Sequence, residues 1–541
     1  MISTINTALQ STAPKSSAKW FGSANMLAFT AEEIRLALSQ ADKNLYIVRN
    51  AEGQTGLATG MGTQNPADLQ TLELLGHLPA FTAPQLGDAG FRETYGLRYN
   101  YMGGAMANGI SSEELVIAMG KAGMICSFGA GGLVPSRIEE AIDRIQAELP
   151  NGPYAVNLIH APNEEALERE ACEIFLRKGV KVIEASAFMD LTIHIVRYRA
   201  AGLSRNADGS IHIGNRIIGK VSRLEMAEKF MRPATANLLA ACVEKGYITA
   251  EQAELAKQVP VADDITVEAD SGGHTDNRSL VCLLPSVLEL RNRLQAELNY
   301  PTAVRIGAGG GISTPESALG AFSMGAAYLV TGSINQACRE SGSSDYVRKV
   351  LANAGMADIM MAPASDMFEL GVKLQVLKKG TLFGMRAQKL YDFYMAYDSI
   401  EAIPEKERLT LEKTVFKDTL ENIWQSCIEF FNARDPEQIE RAEGNPKRKM
   451  ALIFRWYLGL SSSWANRGVA GREMDYQIWC GPAMGAFNEW TKGTSLEQWE
   501  NRYAAKVGTA LLDGAAYLQR VQMLKIYGIQ AEESLKKVIP A

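Results

Sequence analysis

From about Tyr99 to residue 340, short apolar runs alternate with amphipathic stretches. The runs are rich in β-branched residues, the pattern of parallel strands buried on both faces. The stretches between them repeat apolar positions at helical spacing. Thus "RYNYMGG" leads to "SSEELVIAMGKAG", "MICSFGA" to "PSRIEEAIDRIQAEL", "YAVNLIH" to "NEEALEREACEIFLRKG" and "VKVIEASAF" to "DLTIHIVRYRAAG". A hairpin-like "NADGSIHIGN" precedes "RIIGKVS"; "DITVEAD", "AVRIGA" and "YLVTG" complete the series. Eight units in about 240 residues predict a (β/α)8 TIM barrel of the α/β class. A doubly wound open sheet is the alternative arrangement of the same units.

The flanks differ. Residues 1–90 read as a small N-terminal mixed region, with a capped helix in "ANMLAFTAEEIRLALSQA", a strand in "NLYIVRN" and a loop in "GLATGMGTQNPADLQ". The barrel is predicted over 91–340, and 341–541 as an added C-terminal helical domain in which strands stop. Six of the seven tryptophans lie beyond residue 420, which places most of them in a helical core. "WCGPAMGAF" reads as loop, because of its Gly-Pro and Ala-Met-Gly steps. Its Trp479, Met484 and Phe487 are predicted to line an apolar substrate slot at the barrel mouth.

Composition narrows the function classes. Hydrophobic content is 47%, charged content 21% and net charge −6. With no basic tract, nucleic acid is not the expected partner. Seven scattered cysteines form no CxxC pair, so neither structural zinc nor any other metal site is expected. The polar start lacks the apolar core of a signal peptide, and no run approaches a membrane span. The expected location is therefore cytoplasmic.

Two glycine turns close the series. "RIGAGGGISTPES" (305–317) reads as strand, glycine turn and helix, with Ser313 or Thr314 as cap and Pro315 in the first turn. "YLVTGS" ends a second strand at Gly332-Ser333. A glycine turn at a helix N-terminus offers unpaired N–H groups and the positive end of a dipole, which suits phosphate. Paired turns on the last two strands are typical of a phosphate-binding barrel.

Barrel chemistry sits at the C-terminal ends of the strands. In order they present Gly104-Ala105-Met106-Ala107, Gly129 to Gly132, Asn157, Glu184 with Ser186, Lys220, "EADSGGH" (268–274), Gly309-Gly310-Gly311 and Gly332-Ser333. Mainly small residues suit a flat cofactor held by backbone, and FMN fits. Pyridoxal phosphate on Lys220 is the weaker alternative, with no partner evident for its ring. His274, after Gly272-Gly273, is the candidate acid. Lys220 is the candidate for stabilising negative charge on a reduced flavin, and Asn157 for hydrogen bonding to the ring.

"GGAMANGISSEELVIAMGKAGMICSFGAGGL", "YAVNLIH", "EADSGGHTD", "GAGGGI" and "TGS" resemble the flavin-dependent nitronate monooxygenase and FabK-type enoyl reductase superfamily. "APASDMFELGVKLQVLKKGTLFGMRAQKLYDFY", "KMALIFRWYLGLSSSWANRG" and "DYQIWCGPAMGAFNEW" are similar more closely to the PfaD family. These are trans-acting enoyl reductases of polyunsaturated fatty acid and polyketide synthases. The resemblance covers the chain from about residue 90. It implies backbone contact of Met106 and Ala107 to FMN, a flavin role for Asn157, and a phosphate clamp of Gly309 to Gly311 with Gly332 and Ser333. It also implies catalysis by His274. The superfamily's Glu-Ala-Gly-Gly-His is here interrupted by Asp270-Ser271. The implied reaction is NADPH- or NADH-driven reduction of an enoyl thioester carried by an acyl carrier protein. Rival readings are a nitronate monooxygenase-like oxidase, a barrel isomerase or synthase, and a non-catalytic synthase component. A homodimer is the default expectation.

Overall fold

The computed structural model describes residues 8–62, 66–160, 162 and 165–540; Thr63 to Asn65 of the expected loop lie outside them. Eight strands form the centre: β1 (Tyr101–Gly103), β2 (Ile125–Phe128), β3 (Ala155–Ile159), β4 (Val182–Ser186), β5 (Arg216–Val221), β6 (Asp264–Glu268), β7 (Arg305–Gly309) and β8 (Leu329–Thr331). They close a barrel in chain order, β8 pairing in parallel with β1 through Leu329–Tyr101, Val330–Met102 and Thr331–Gly103. Every residue of β2, β4 and β7 is buried. That explains the continuous rather than alternating apolar runs.

A helix, Ala89–Tyr95, seals the N-terminal end of the barrel. Arg305 on β7 donates from Nε and Nη2 to the two oxygens of buried Asp264 on β6, at 2.6 and 2.9 Å. The Tyr95 hydroxyl donates to the same carboxylate at 2.5 Å, and Phe91 stacks on Tyr328 at 4.0 Å. The bottom is thus a packed, charge-paired plug, which leaves the opposite end for chemistry.

Before the barrel lies a five-stranded antiparallel sheet built from Lys19–Ser23, Leu27–Ala28, Leu45–Arg49, Thr55–Ala58 and Leu69–Leu78. The predicted capped helix is Ala31–Ser39, with the Thr30 hydroxyl and Glu33 carboxylate closing a capping box. Residues 24–28, expected in that helix, form a 3-10 turn and a short strand instead.

Beyond residue 340 the chain is mostly helical, but strands do not stop there. Two of them, β9 (Ile359–Pro363) and β10 (Lys373–Leu377), pair antiparallel, and β10 pairs in turn with Gly273–His274. Farther on, Ile529–Ala531 pairs with Leu9–Ser11. No helix among the described residues is long and apolar enough to cross a membrane.

"WCGPAMGAF" is also corrected. Its second half starts a helix, Ala483–Thr491, and Met484 and Phe487 are fully buried within it. The Arg502 guanidinium lies 5.0 Å from the Phe487 ring. Both side chains belong to the packing of the helical region, not to an open slot. Met484→Ala should therefore lower stability by about 2–5 kcal/mol. It should act equally on long and short substrates; denaturant titration and paired KM values check this.

Candidate active site

A cavity of about 340 Å³ opens at the C-terminal ends of the strands. Its lining includes Gly104 to Asn108, Asn157, Lys220, Gly272 to His274, Gly309 to Gly311, Gly332 and Ser333. The barrel residues proposed from sequence for cofactor and catalysis therefore lie around one space, whereas Gly129, Ala130 and Glu184 of the strand-end series do not line it. Of the C-terminal trio only Trp479 reaches it; Met484 and Phe487 do not line it.

The glycine turns form one end. Gly310 and Gly311 hold φ of +85° and +74°, the left-handed region that favours glycine. A Cβ on Gly310 would come within 2.7 Å of the Ala269 backbone, so the β6 and β7 loops touch there. A Cβ on Gly311 or Gly332 would meet nothing within 4 Å. Both are cavity-lining positions where the missing side chain leaves room for a ligand. The following helix, Pro315–Ser323, has Thr314 as N-cap.

Charge concentrates on the neighbouring strands β4, β5 and β6. The Lys220 Nζ lies 3.6 Å from both Glu184 Oε1 and Glu268 Oε1. Burial acts to lower the lysine pKa, but the two carboxylates outweigh it and the ammonium is held charged. Burial pushes the Glu268 carboxyl up, against the pull of Lys220. Glu184 is fully buried; its Oε2 accepts from the Ala105 N–H at 2.7 Å. Its Oε1 accepts no hydrogen bond among the described residues and meets only the lysine. Asn157 Nδ2 donates to the Glu184 carbonyl (3.0 Å) and Ser186 Oγ (2.8 Å). Its donors are thereby spent inside the barrel, and toward a ligand Asn157 can offer only the oxygen.

His274 is placed by chain from outside the barrel. Its backbone pairs with Leu374 of β10, and that of Gly273 with Gln375. The inserted Asp270 accepts from Gln375 Nε2 and Asn277 Nδ2, both at 3.0 Å, so the longer loop is tied to the same strand. His274 Nε2 lies 3.1 Å from Asp366 Oδ1. Burial lowers the histidine pKa, yet Asp366 and the more distant Glu268 outweigh it, and the net shift is upward. Trp479 is fixed by Gln477, whose amide oxygen accepts from Trp479 Nε1 at 3.0 Å.

Several contributors were not assigned a role from sequence. Glu184 and Glu268 were visible at strand ends, but their joint hold on Lys220 needs the barrel register, which sets β5 between β4 and β6. Asp366 carries no local signal at all. His160 also lines the cavity, with Nδ1 3.0 Å from Glu168 Oε2; its motif showed only a strand.

The lining fits a flat, phosphate-bearing group. The small residues of Gly104 to Ala107 offer backbone, the Gly311 and Gly332 positions leave room, and one polar oxygen awaits a partner.

Residues 97–387 match the nitronate monooxygenase family, and residues 20–80 the N-terminal domain of the fatty acid synthase protein PfaD. Residues 397–476 match the inserted helical domain of acyl-carrier-protein S-malonyltransferase. A component of the polyunsaturated fatty acid synthase of Thraustochytrium sp. is 53% identical over 502 residues, which is 91% of this chain and 33% of that protein. The polyketide biosynthesis protein PksE of Bacillus subtilis is 43% identical over 483 residues, 89% of this chain and 63% of that one. The chain thus spans about a third of the first relative's length and less than two thirds of the second's. The crystal structure of the enoyl reductase domain of MlnA, from the macrolactin biosynthesis cluster of Bacillus amyloliquefaciens, matches with a TM-score of 0.78. It is 40% identical, and the match covers 82% of this chain and 99% of that one.

Proposed function

The chain belongs to the nitronate monooxygenase family, in the branch that carries the PfaD N-terminal domain, and on that footing we propose that it is an FMN-dependent enoyl-thioester reductase. It would act in trans on acyl-carrier-protein-bound enoyl chains during polyunsaturated fatty acid or polyketide synthesis. The observation that carries this reading is the cavity itself. Backbone and small residues line much of it, two glycine turns close one end, and a histidine and a lysine with opposed carboxylate partners border it. The likeness to an enoyl reductase domain over 99% of that domain's length supports it.

A bound flavin would supply the hydride to the substrate β-carbon, having taken it from NADPH or NADH. The protein's own groups do the rest. Residues 309–311 and 332–333 would hold the phosphate through backbone N–H groups. Ala105 to Ala107 would back the ring, with Gly272 and Gly273 beside it. Asn157 Oδ1 would accept from a ring N–H, and the Lys220 ammonium would offset negative charge. His274 would give a proton to the α-carbon. Trp479, with Met367 and Leu374, offers apolar surface to the acyl chain. The division at about residues 90 and 340, into N-terminal region, cofactor barrel and helical lid, belongs to the same reading, as does cytoplasmic action, as a homodimer by base rate.

The test is optical. The purified protein should be yellow, bleach with NADPH under anaerobic conditions, and regain colour when crotonyl thioester is added. Recovery with oxygen and a nitroalkane anion, but not with thioester, would make it a nitronate oxidase. A colourless protein would remove flavin chemistry altogether.

A further inference from the structure

Reduction of an enoyl thioester asks for two separate proton-bearing groups. When hydride reaches the β-carbon, the C=C electron pair moves toward the thioester carbonyl and negative charge develops on its oxygen. A donor must meet that oxygen, and an acid must then protonate the α-carbon as the carbonyl re-forms. His274 can serve one role but not both at once. Lys220 is engaged between Glu184 and Glu268.

The cavity holds a second histidine. His160 follows β3 and lines the space together with Ile159, Pro162, Leu167 and Ala187. Its side chain is 13% exposed, and Nδ1 lies 3.0 Å from Oε2 of Glu168, which is 2% exposed. The other Glu168 oxygen accepts from the Thr192 hydroxyl. The ring stacks on Phe188, with centroids 5.2 Å apart and planes 18° apart. Ala187, just before Phe188, takes φ of +61°, a conformation that costs a residue with a Cβ. The imidazole is therefore gripped on one nitrogen and one face. Nε2 makes no hydrogen bond to the described residues, although the ring borders the cavity.

The Glu168 carboxylate faces Nδ1, so the ring in its doubly protonated form donates Nδ1–H to Glu168 and keeps Nε2–H for the cavity. From this we infer that His160 is the donor that polarises the substrate carbonyl, through Nε2–H to the developing thioester oxyanion. This rests on the enoyl reductase reading above. The balance is complete: hydride adds at the β-carbon, the π pair moves onto oxygen and returns, and one proton adds at the α-carbon from His274. His160 gains and loses nothing overall.

The test uses two replacements that mimic different nitrogens. Asn puts an amide N–H where Nδ1 stood, so His160→Asn keeps the Glu168 bond and loses the cavity donor. His160→Gln does the reverse. Flavin content is measured in each, then crotonyl-pantetheine reduction. The expected order is wild type, then Gln, then Asn, with Asn slower by roughly 10²–10³-fold, the cost of one lost oxyanion donor. If His160 served only to neutralise Glu168, Asn would outperform Gln, and the inference would fall. A second readout needs no turnover. On oxidised protein without NADPH, the infrared carbonyl stretch of bound crotonyl-pantetheine should move to lower frequency. That shift should survive in His274→Ala and vanish in His160→Asn. Loss of the shift in His274→Ala would transfer the role to His274, even if the His160 variants failed to fold. A wild-type protein that binds flavin yet never reduces crotonyl thioester would instead sink the reductase reading, and this inference with it.

Discussion

Gly332→Val should give a folded protein that does not retain flavin. Gly332 has a negative φ, and a Cβ added there would meet no protein atom within 4 Å. The side chain would enter the space assigned to the phosphate. Losing two charge-assisted N–H contacts costs about 3–6 kcal/mol, roughly 10²–10⁴-fold in affinity. Far-UV circular dichroism should be unchanged while the visible flavin bands disappear. Full flavin occupancy would put the phosphate elsewhere. Gly310 makes a poorer probe, because its Cβ would strike the Ala269 backbone and disturb the neighbouring loop before reaching any ligand.

His274→Ala should stay yellow and still bleach with NADPH, yet reduce enoyl thioester about 10²–10⁴-fold more slowly, the range for a lost general acid. Turnover within a few-fold of wild type would reduce His274 to a loop residue. The Asp366 pairing adds a sign. His274 is shifted up, so it remains protonated at higher pH than an ordinary histidine. An acid must be protonated, so the rate should fall as pH rises through that raised pKa. In Asp366→Asn the main raising influence is gone, Lys220 and burial still oppose the charge, and only Glu268 supports it. The descending limb should then move to lower pH. A limb that stays put would mean that another group sets it.

The barrel was legible because its strands are buried on both faces and its helices on one; the period of polarity changes eight times. The two glycine turns were legible because glycine marks backbone such as that of Gly310 and Gly311, which lies in the left-handed region. Legibility failed where function depends on pairing between distant segments. Nothing in "APASDMF" signals that Asp366 reaches His274, since the link is made by β10 joining Gly273–His274. The short strands β9 and β10 were masked by helical neighbours. Gly481-Pro482 was read as a break, whereas proline at a helix start is well tolerated. Met484 and Phe487 consequently went to the wrong side of the wall.

The strand that sets His274 has a consequence for synthesis of the chain. Leu374 is made one hundred residues after the histidine it pairs with. At about 5–20 residues per second, the ribosome needs roughly 5–20 s to cover that interval. All eight barrel strands, the last ending at Thr331, have been made before β10. A nascent chain can thus close its barrel and bring its two glycine turns together while the Gly-Gly-His loop still lacks its partner strand. His274 would be positioned late, on the growing polypeptide, after the scaffold that carries it.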